Sequence, residues 1–336
     1  MLKLTRRGVQ IALGVLWLLD GALQLQHQMF TSSFANNVIA PAAEGQPLFV
    51  RGPMHFFIHV FLLHPAVFNA LAAVTQLGLG ALILWKRTVK IGLMASVAWS
   101  LFVWYIGEGL GGLASWRTLI LMGAPGAALL YAVLALAAMP KKDKSKNKEE
   151  DNQPAYWLAV AWAALWVGGA IYQLLPGQNA VSDISGMISS MANGAPGWLV
   201  SLDNHIAQII NGFGTPTTSM TGIHMTATQM SRMSTQAGSG YWFILLLATI
   251  QLCIGLGVFF VGVTRKIAIG LGILASLVFW VVGQALGRYF TGLATDPGSA
   301  PLFILLGIST LGVSGLDAKL AQLYKRIEIV LVGKQN

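Results

Sequence analysis

The sequence predicts an all-α integral membrane protein of eight transmembrane helices in two parallel four-helix repeats, with interfacial helices on the outer side. Three observations predict it. The chain is 55% hydrophobic and only 10% charged, with a mean hydropathy of +0.65, whereas soluble domains carry about a quarter charged residues. Its apolar runs approach the ~20 residues a helix needs to cross a bilayer. One stretch also occurs twice: Ser100, Trp104, Gly107, Glu108, Leu110 and Gly111 match Ser276, Trp280, Gly283, Gln284, Leu286 and Gly287 at a constant offset of 176. Ser, Trp and Glu or Gln four residues apart share one helical face, so each copy ends an apolar helix with one polar group and a small-residue notch.

The first repeat occupies residues 1–139. Span one runs from about Gly8 to Leu25. It reads as a retained span and not a cleaved leader, because no small-residue cleavage site follows it and Trp17, Gln24 and Leu25 have counterparts in Trp166, Gln173 and Leu174. After a loop, Met54 to His64 is apolar, carries three histidines and is too short to cross, which reads as an interfacial helix broken by Pro65. Span two covers about Ala66 to Trp85, span three Ile91 to about Gly109, and span four Thr118 to Met139.

Residues 140–154 form a charged linker, and the second repeat, 155–313, follows the same plan. Its spans are Tyr156 to Leu175, Tyr241 to Val263, Ile267 to about Gly287, and Pro301 to about Val313, with a long outer loop from Pro176 to Gly240. Residues 314–336 form an amphipathic tail, with Leu320, Leu323, Ile327 and Val330 toward the inner surface of the bilayer. Of the 21 Lys and Arg, only Arg51, Arg117, Arg232 and Arg288 fall outside, which leaves 17 on the inner side. This bias places the chain in the cell membrane as a multi-pass protein with both termini cytoplasmic. It also assigns the net charge of +9 to topology and not to nucleic acid. An even number of spans per repeat makes the two repeats parallel. The single Cys253 lies inside a span, excludes an intrachain disulfide and reads as a packing residue.

Gly78-Leu-Gly-Ala-Leu-Ile-Leu-Trp85-Lys86-Arg87 and Gly255-Leu-Gly-Val-Phe-Phe-Val-Gly-Val-Thr264-Arg265-Lys-Ile-Ala268 resemble the DoxX/DoxD group of four-span bacterial and archaeal membrane proteins. Thr264, Arg265 and Ala268 carry the better match; Trp85-Lys86-Arg87 departs from it, and Gln76 and Gln251 stand where an acidic residue is expected. The resemblance implies a four-span unit, here duplicated. DoxD resembles the membrane subunit of a thiosulfate:quinone oxidoreductase, so it also implies a link to membrane redox chemistry.

Ionisable groups inside spans are costly, which makes each a functional candidate. Asp20 lies in span one with Gln24 and His27 at i+4 and i+7, and its counterpart is Gly169. Glu108 corresponds to Gln284, so one acidic site in the first half is expected, flanked by Trp104 and Trp280 as packing residues. The competing structural reading has both carboxyls hydrogen-bonded to loop backbone or paired with Arg51 or Arg117. His55 and His59, at i and i+4, suit two imidazoles on one cofactor or metal, and His205 is the counterpart of His55. Haem, a metal ion or a quinone carbonyl are the partners such a group would take. His224, Met225, Met230 and Met233 belong to an outer loop rich in soft donors, which suits copper. Arg288 and Asp296 read as a turn that caps span eight.

Three functions follow as expectations: a quinone- or electron-transfer-linked membrane subunit with outer-side redox partners, a transporter of a small solute or metal ion, and a non-catalytic membrane scaffold. No phosphate-binding loop, nucleophile elbow or dinucleotide fingerprint is present in the sequence.

Overall fold

A computed structural model describes residues 4–140, 155–213 and 227–313, the last with side chains from residue 240 onward. All described elements are helical. The principal helices are α1 (Arg6–Leu23), α2 (Leu48–Leu63), α3 (Pro65–Leu84), α4 (Val89–Ile106), α5 (Ala127–Ala137), α6 (Leu158–Gln173), α7 (Val181–Met191), α8 (Gly197–Gly212), α9 (Ala227–Leu256), α10 (Val263–Val281) and α11 (Ser299–Leu311). Short helical turns fill the segments between α1 and α2, α4 and α5, and α10 and α11. The linker from Lys141 and the amphipathic tail from Ser314 lie outside the described residues.

Four stretches are long and apolar enough to cross a membrane: Pro65–Leu84, Val89–Ile106, Gly240–Phe259 and Val263–Thr291. Of the other four expected spans, α1 has 18 residues but carries Arg6, Arg7 and Asp20. Helices α5, α6 and α11 are shorter, with 11, 16 and 13 residues. At 1.5 Å per residue, α5 covers only about 16 Å of a hydrocarbon layer about 30 Å thick. The sequence places the start of this span at Thr118, whereas the helix begins at Ala127. The interfacial helix also starts earlier than expected, at Leu48, and continues through Pro53.

The chain leaves α4 and α10 in the same unusual way. Gly109, Leu110, Gly111 and Gly112 take φ values of 54°, 57°, 61° and 77°, and Ala285, Leu286, Gly287 and Arg288 take 44°, 54°, 70° and 58°. Four successive left-handed residues reverse the chain toward the helix it has just left. Each non-glycine residue in that region costs about 1–2 kcal/mol. Gly111 has no alternative, because a Cβ there would collide with the Pro125 carbonyl.

Packing follows pairs. Helix α1 lies along α3 and α4 along α5, while α6 lies along α9 and α10 along α11; α5 and α11 touch across the middle. One core runs through all of these, with Leu13, Trp17, Ile83, Leu93, Tyr131, Trp162, Trp166, Phe303 and Leu306 buried. At the basic end, the Arg7 guanidinium donates to the Ile83 and Leu84 carbonyls, and Gln10 Nε2 donates to Ala138 O at 2.9 Å. Both close helix C-termini that lack intrahelical partners. A second cluster joins α7 and α8 to the main body through Leu119, Ile184, Ile188, Ala207, Ile244 and Val282. Cys253, expected in the core, is exposed on α9.

Asp203 on α8 is fully buried, and neither carboxylate oxygen has a hydrogen-bond partner. Burial pushes its carboxyl up from 3.8 to about 6. The folded chain thus holds a proton that the unfolded chain releases. The stability from this group is fully present below the ordinary carboxylate value and falls as the pH rises toward 6. Protection factors for amide exchange across 197–212, corrected for the intrinsic pH dependence of exchange, are expected to be larger at about pH 4 than at about pH 7, and Asp203→Asn should abolish the difference. Gly111→Ala is expected to lower stability by about 3 kcal/mol or more, read as a fall in the midpoint of thermal unfolding in detergent.

Candidate functional site

The repeated stretch builds the site by clamping the chain that follows it. Trp104 Nε1 donates to Pro125 O at 2.7 Å, and Trp280 Nε1 donates to Pro297 O at 2.7 Å. Glu108 Oε1 accepts from the Ala128 amide at 3.0 Å, and Gln284 Oε1 accepts from the Ala300 amide at 3.0 Å. Both N-termini, α5 and α11, begin after Pro-Gly and have no side-chain cap of their own. The Glu and Gln therefore serve as caps supplied from the preceding helix. This agrees with the backbone-bonding alternative for Glu108 and gives the two tryptophans a hydrogen-bonding role that packing alone does not include.

The cap uses one oxygen of Glu108. The other, Oε2, is buried without a partner, and Glu108 lines a cavity of about 360 Å³ bordered by α1, α2, α3, α4 and α5. Asp20, Gln24, Gln76, Tyr131, Thr295 and Asp296 supply the polar lining. Aromatic rings form the rest, Trp17, Phe57, Phe61, Trp99 and Phe102 among them. Asp20 is 1% exposed. Tyr131 interacts with Asp20, and its ring lies 4.4 Å from that of Trp17, which is itself fixed by a 2.8 Å bond to Ser96 Oγ.

Asp20 and Glu108, assigned to one acidic site from the sequence, do line one cavity. Gln24 joins them, but His27 does not. Helix α1 stops at Leu23, the chain turns, and His27 is exposed on a separate short helix. His55 and His59 lie on the exposed face of α2, and His205 is exposed on α8. Among the described residues, no group of three or more His, Cys, Asp and Glu is placed to hold a metal ion. His224, Met225 and the side chains of Met230 and Met233 lie outside the described residues.

Sequence reasoning missed Asp296 as a lining group. Its Oδ1 accepts from the Gly298 amide at 2.8 Å and its Oδ2 from Thr295 Oγ1 at 2.7 Å, so it does support the turn before α11. Both bonds come from within its own turn. Burial raises its carboxyl above the ordinary range, while the two hydrogen bonds pull it back. A second cavity of about 270 Å³ shares Glu108 and Asp296 with the first and adds Arg288, Gln284 and Thr118. The signal available in the sequence was Pro125-Gly126-Ala127-Ala128 against Pro297-Gly298-Ser299-Ala300. That pairing is hidden by a loop four residues shorter in the second half, as the Trp-to-Pro separations of 21 and 17 record.

Among the described residues of the second half, no carboxyl stands at the position equivalent to Asp20 or Glu108. Gly169 stands where Asp20 would be, and Gln251 Oε1 lies 2.6 Å from the position a Cβ would take there. The nearby cavity of about 340 Å³ is lined by apolar residues and Tyr172, with no carboxyl.

No family model, curated protein or solved structure matches this chain. The resemblance to the DoxX/DoxD group therefore rests on the residues quoted for it.

Capping and charge are separable at Glu108, because Gln284 already caps α11 as an uncharged amide. Glu108→Gln is expected to keep the unfolding midpoint of the wild type. Glu108→Ala is expected to cost about 1–2 kcal/mol, the usual loss of a helix cap, and Gln284→Ala to cost about the same. Equal losses for Glu108→Gln and Glu108→Ala in a thermal melt would contradict the capping role.

Proposed function

We propose that this chain is an eight-span protein of the cell membrane, built from two parallel four-helix units with cytoplasmic termini, and that its first unit binds and carries a lipid-soluble small molecule with a polar head. The observation that carries the reading is the cavity of about 360 Å³, which combines aromatic walls with three carboxyl groups. Ligand sites of this size are mostly apolar with a few convergent polar groups. Buried carboxyls in a bilayer-facing bundle are expensive unless they serve a bound partner.

Support for eight spans comes from the same helix pairs packing in each half and from the same left-handed turn before α5 and α11. These short helices are continued by non-helical backbone that lines cavities. Such backbone is tolerated at membrane depth where protein buries it. The inner placement of 17 of the 21 basic residues supports the orientation. The apolar exposed faces of α2 (Leu48, Phe49, Phe56) and α8 (Trp198, Ile209) support helices resting at the outer interface.

A quinone is the second reading. Trp99 Nε1 is a buried donor without a partner at this cavity and would suit one of its carbonyl oxygens. Redox partner subunits on the outer side, and the DoxX/DoxD resemblance, belong to that reading.

Mass spectrometry of the organic extract of purified protein tests both. A small molecule is expected in the wild type and is expected to be lost in Ala72→Trp, which adds an indole where Ala72 lines the cavity. The unfolding midpoint should be preserved in protein freed of ligand. An extract identical for the two proteins would sink the binding reading, and a quinone in the wild type alone would select the second.

A further inference from the structure

We infer that the molecule held in this cavity carries a positively charged, hydrogen-bond-donating head, an amine or amidine on an apolar body, with Asp20 and Glu108 as its counter-charge. The inference rests on the cavity reading above and adds the chemical class of the ligand.

The charge count at the site comes first. Carboxyls approach the cavity from three elements: Asp20 from α1, Glu108 from the end of α4 and Asp296 from the turn before α11. Tyr131 from α5 is the phenol among the lining residues, and Tyr289 lies within electrostatic range of Asp20 and Asp296. Among the residues that line this cavity and the adjoining one, the one basic side chain is Arg288, which lies with Glu108 and Asp296 in the latter. Three acidic groups thus meet a single guanidinium. Buried charge of one sign demands either neutralisation or a partner.

The hydrogen-bond count points the same way. Asp20 interacts with Tyr131, while Glu108 Oε2, Gln24 Oε1 and Gln76 Oε1 are buried acceptors without donors, against one unpartnered donor, Trp99 Nε1. A quinone offers only acceptors and would leave the carboxylates unmet. An ammonium head supplies donors to both carboxylates at once. The walls suit such a group, since Trp17, Phe57, Phe61, Trp99 and Phe102 surround it with ring faces and edges, and a cation above an aromatic ring gains further attraction when water is excluded.

Glu108 shows how the fold separates the two tasks of one side chain. Its Oε1 caps α5 and its Oε2 is left for the ligand. In the second half an amide takes over the cap with no residual charge, beside a glycine in place of Asp20.

The test uses the full chain in lipid nanodiscs with two probes: ethidium, an apolar monocation with amino donors, and decylubiquinone, a neutral quinone. Ethidium binding, followed by fluorescence anisotropy, is expected to be saturable. It should weaken by about thirtyfold or more in Asp20→Asn and in Glu108→Gln and be blocked in Ala72→Trp. Glu108→Gln keeps the cap, so a loss there reports charge and not misfolding. Ethidium binding that is absent, or unchanged in both charge variants, overturns the inference. If decylubiquinone alone binds and Ala72→Trp blocks it, the cavity reading stands while the cationic ligand falls. If neither probe binds to any variant, both fall together.

Discussion

The structure depends on a clamp made by one helical turn. At the end of α4, Trp104 holds the Pro125 carbonyl and Glu108 holds the Ala128 amide; at the end of α10, Trp280 and Gln284 hold Pro297 and Ala300. Each clamp satisfies a helix N-terminus that begins in the interior of the bundle, where unpaired amides would be costly. It can do so only because the chain first reverses through four left-handed residues. The strain of Leu110, Leu286 and Arg288 in that conformation is offset by the hydrogen bonds that the reversal permits. Loosening the clamp would release the turn, the short helix and the cavity wall together, since Ala127 and Ala128 line the cavity.

The two clamps are nearly superposable in their bonding, and that similarity makes their one difference informative. A helix cap needs an acceptor oxygen, and a glutamine supplies it as well as a glutamate does. The ionisable group of Glu108 is therefore surplus to the cap. So is that of Asp20, which interacts with Tyr131. Stability alone would be served as well by neutral groups of the same shape at both positions. Both stand beside an aromatic-walled cavity, where a helix cap alone does not require an ionisable group.

Much of this was legible in the chain. The offset between Ser100 and Ser276 revealed the paired stretch, and Asp20 against Gly169, with Glu108 against Gln284, revealed that only one half is acidic. Apolar periodicity located the long helices but not where they stop. Nothing in a hydropathy pattern distinguishes an apolar stretch that is helical throughout from one whose first nine residues, Thr118 to Gly126, are turn, extended chain and short helix. His27 illustrates the same limit. Its spacing from Asp20 assumes a continuous helix, and the turn after Leu23 rotates it out to the surface. Asp296 was read as a turn residue and is one. Its second role comes from the approach of the two units, which local sequence does not encode.

The broken helices also explain why the site lies where it does. A continuous span buries all of its backbone hydrogen bonds within itself and offers a ligand only side chains. Starting α5 at Ala127 brings a helix N-terminus into the interior, and a side chain from α4 must then be spent to cap it. That requirement places a carboxyl beside the cavity whatever its ligand, and the glutamine in the second half shows the minimum that the requirement demands. Adding Asp20 one helix away, against Tyr131 and Trp17, turns a structural necessity into a charged recess with aromatic walls.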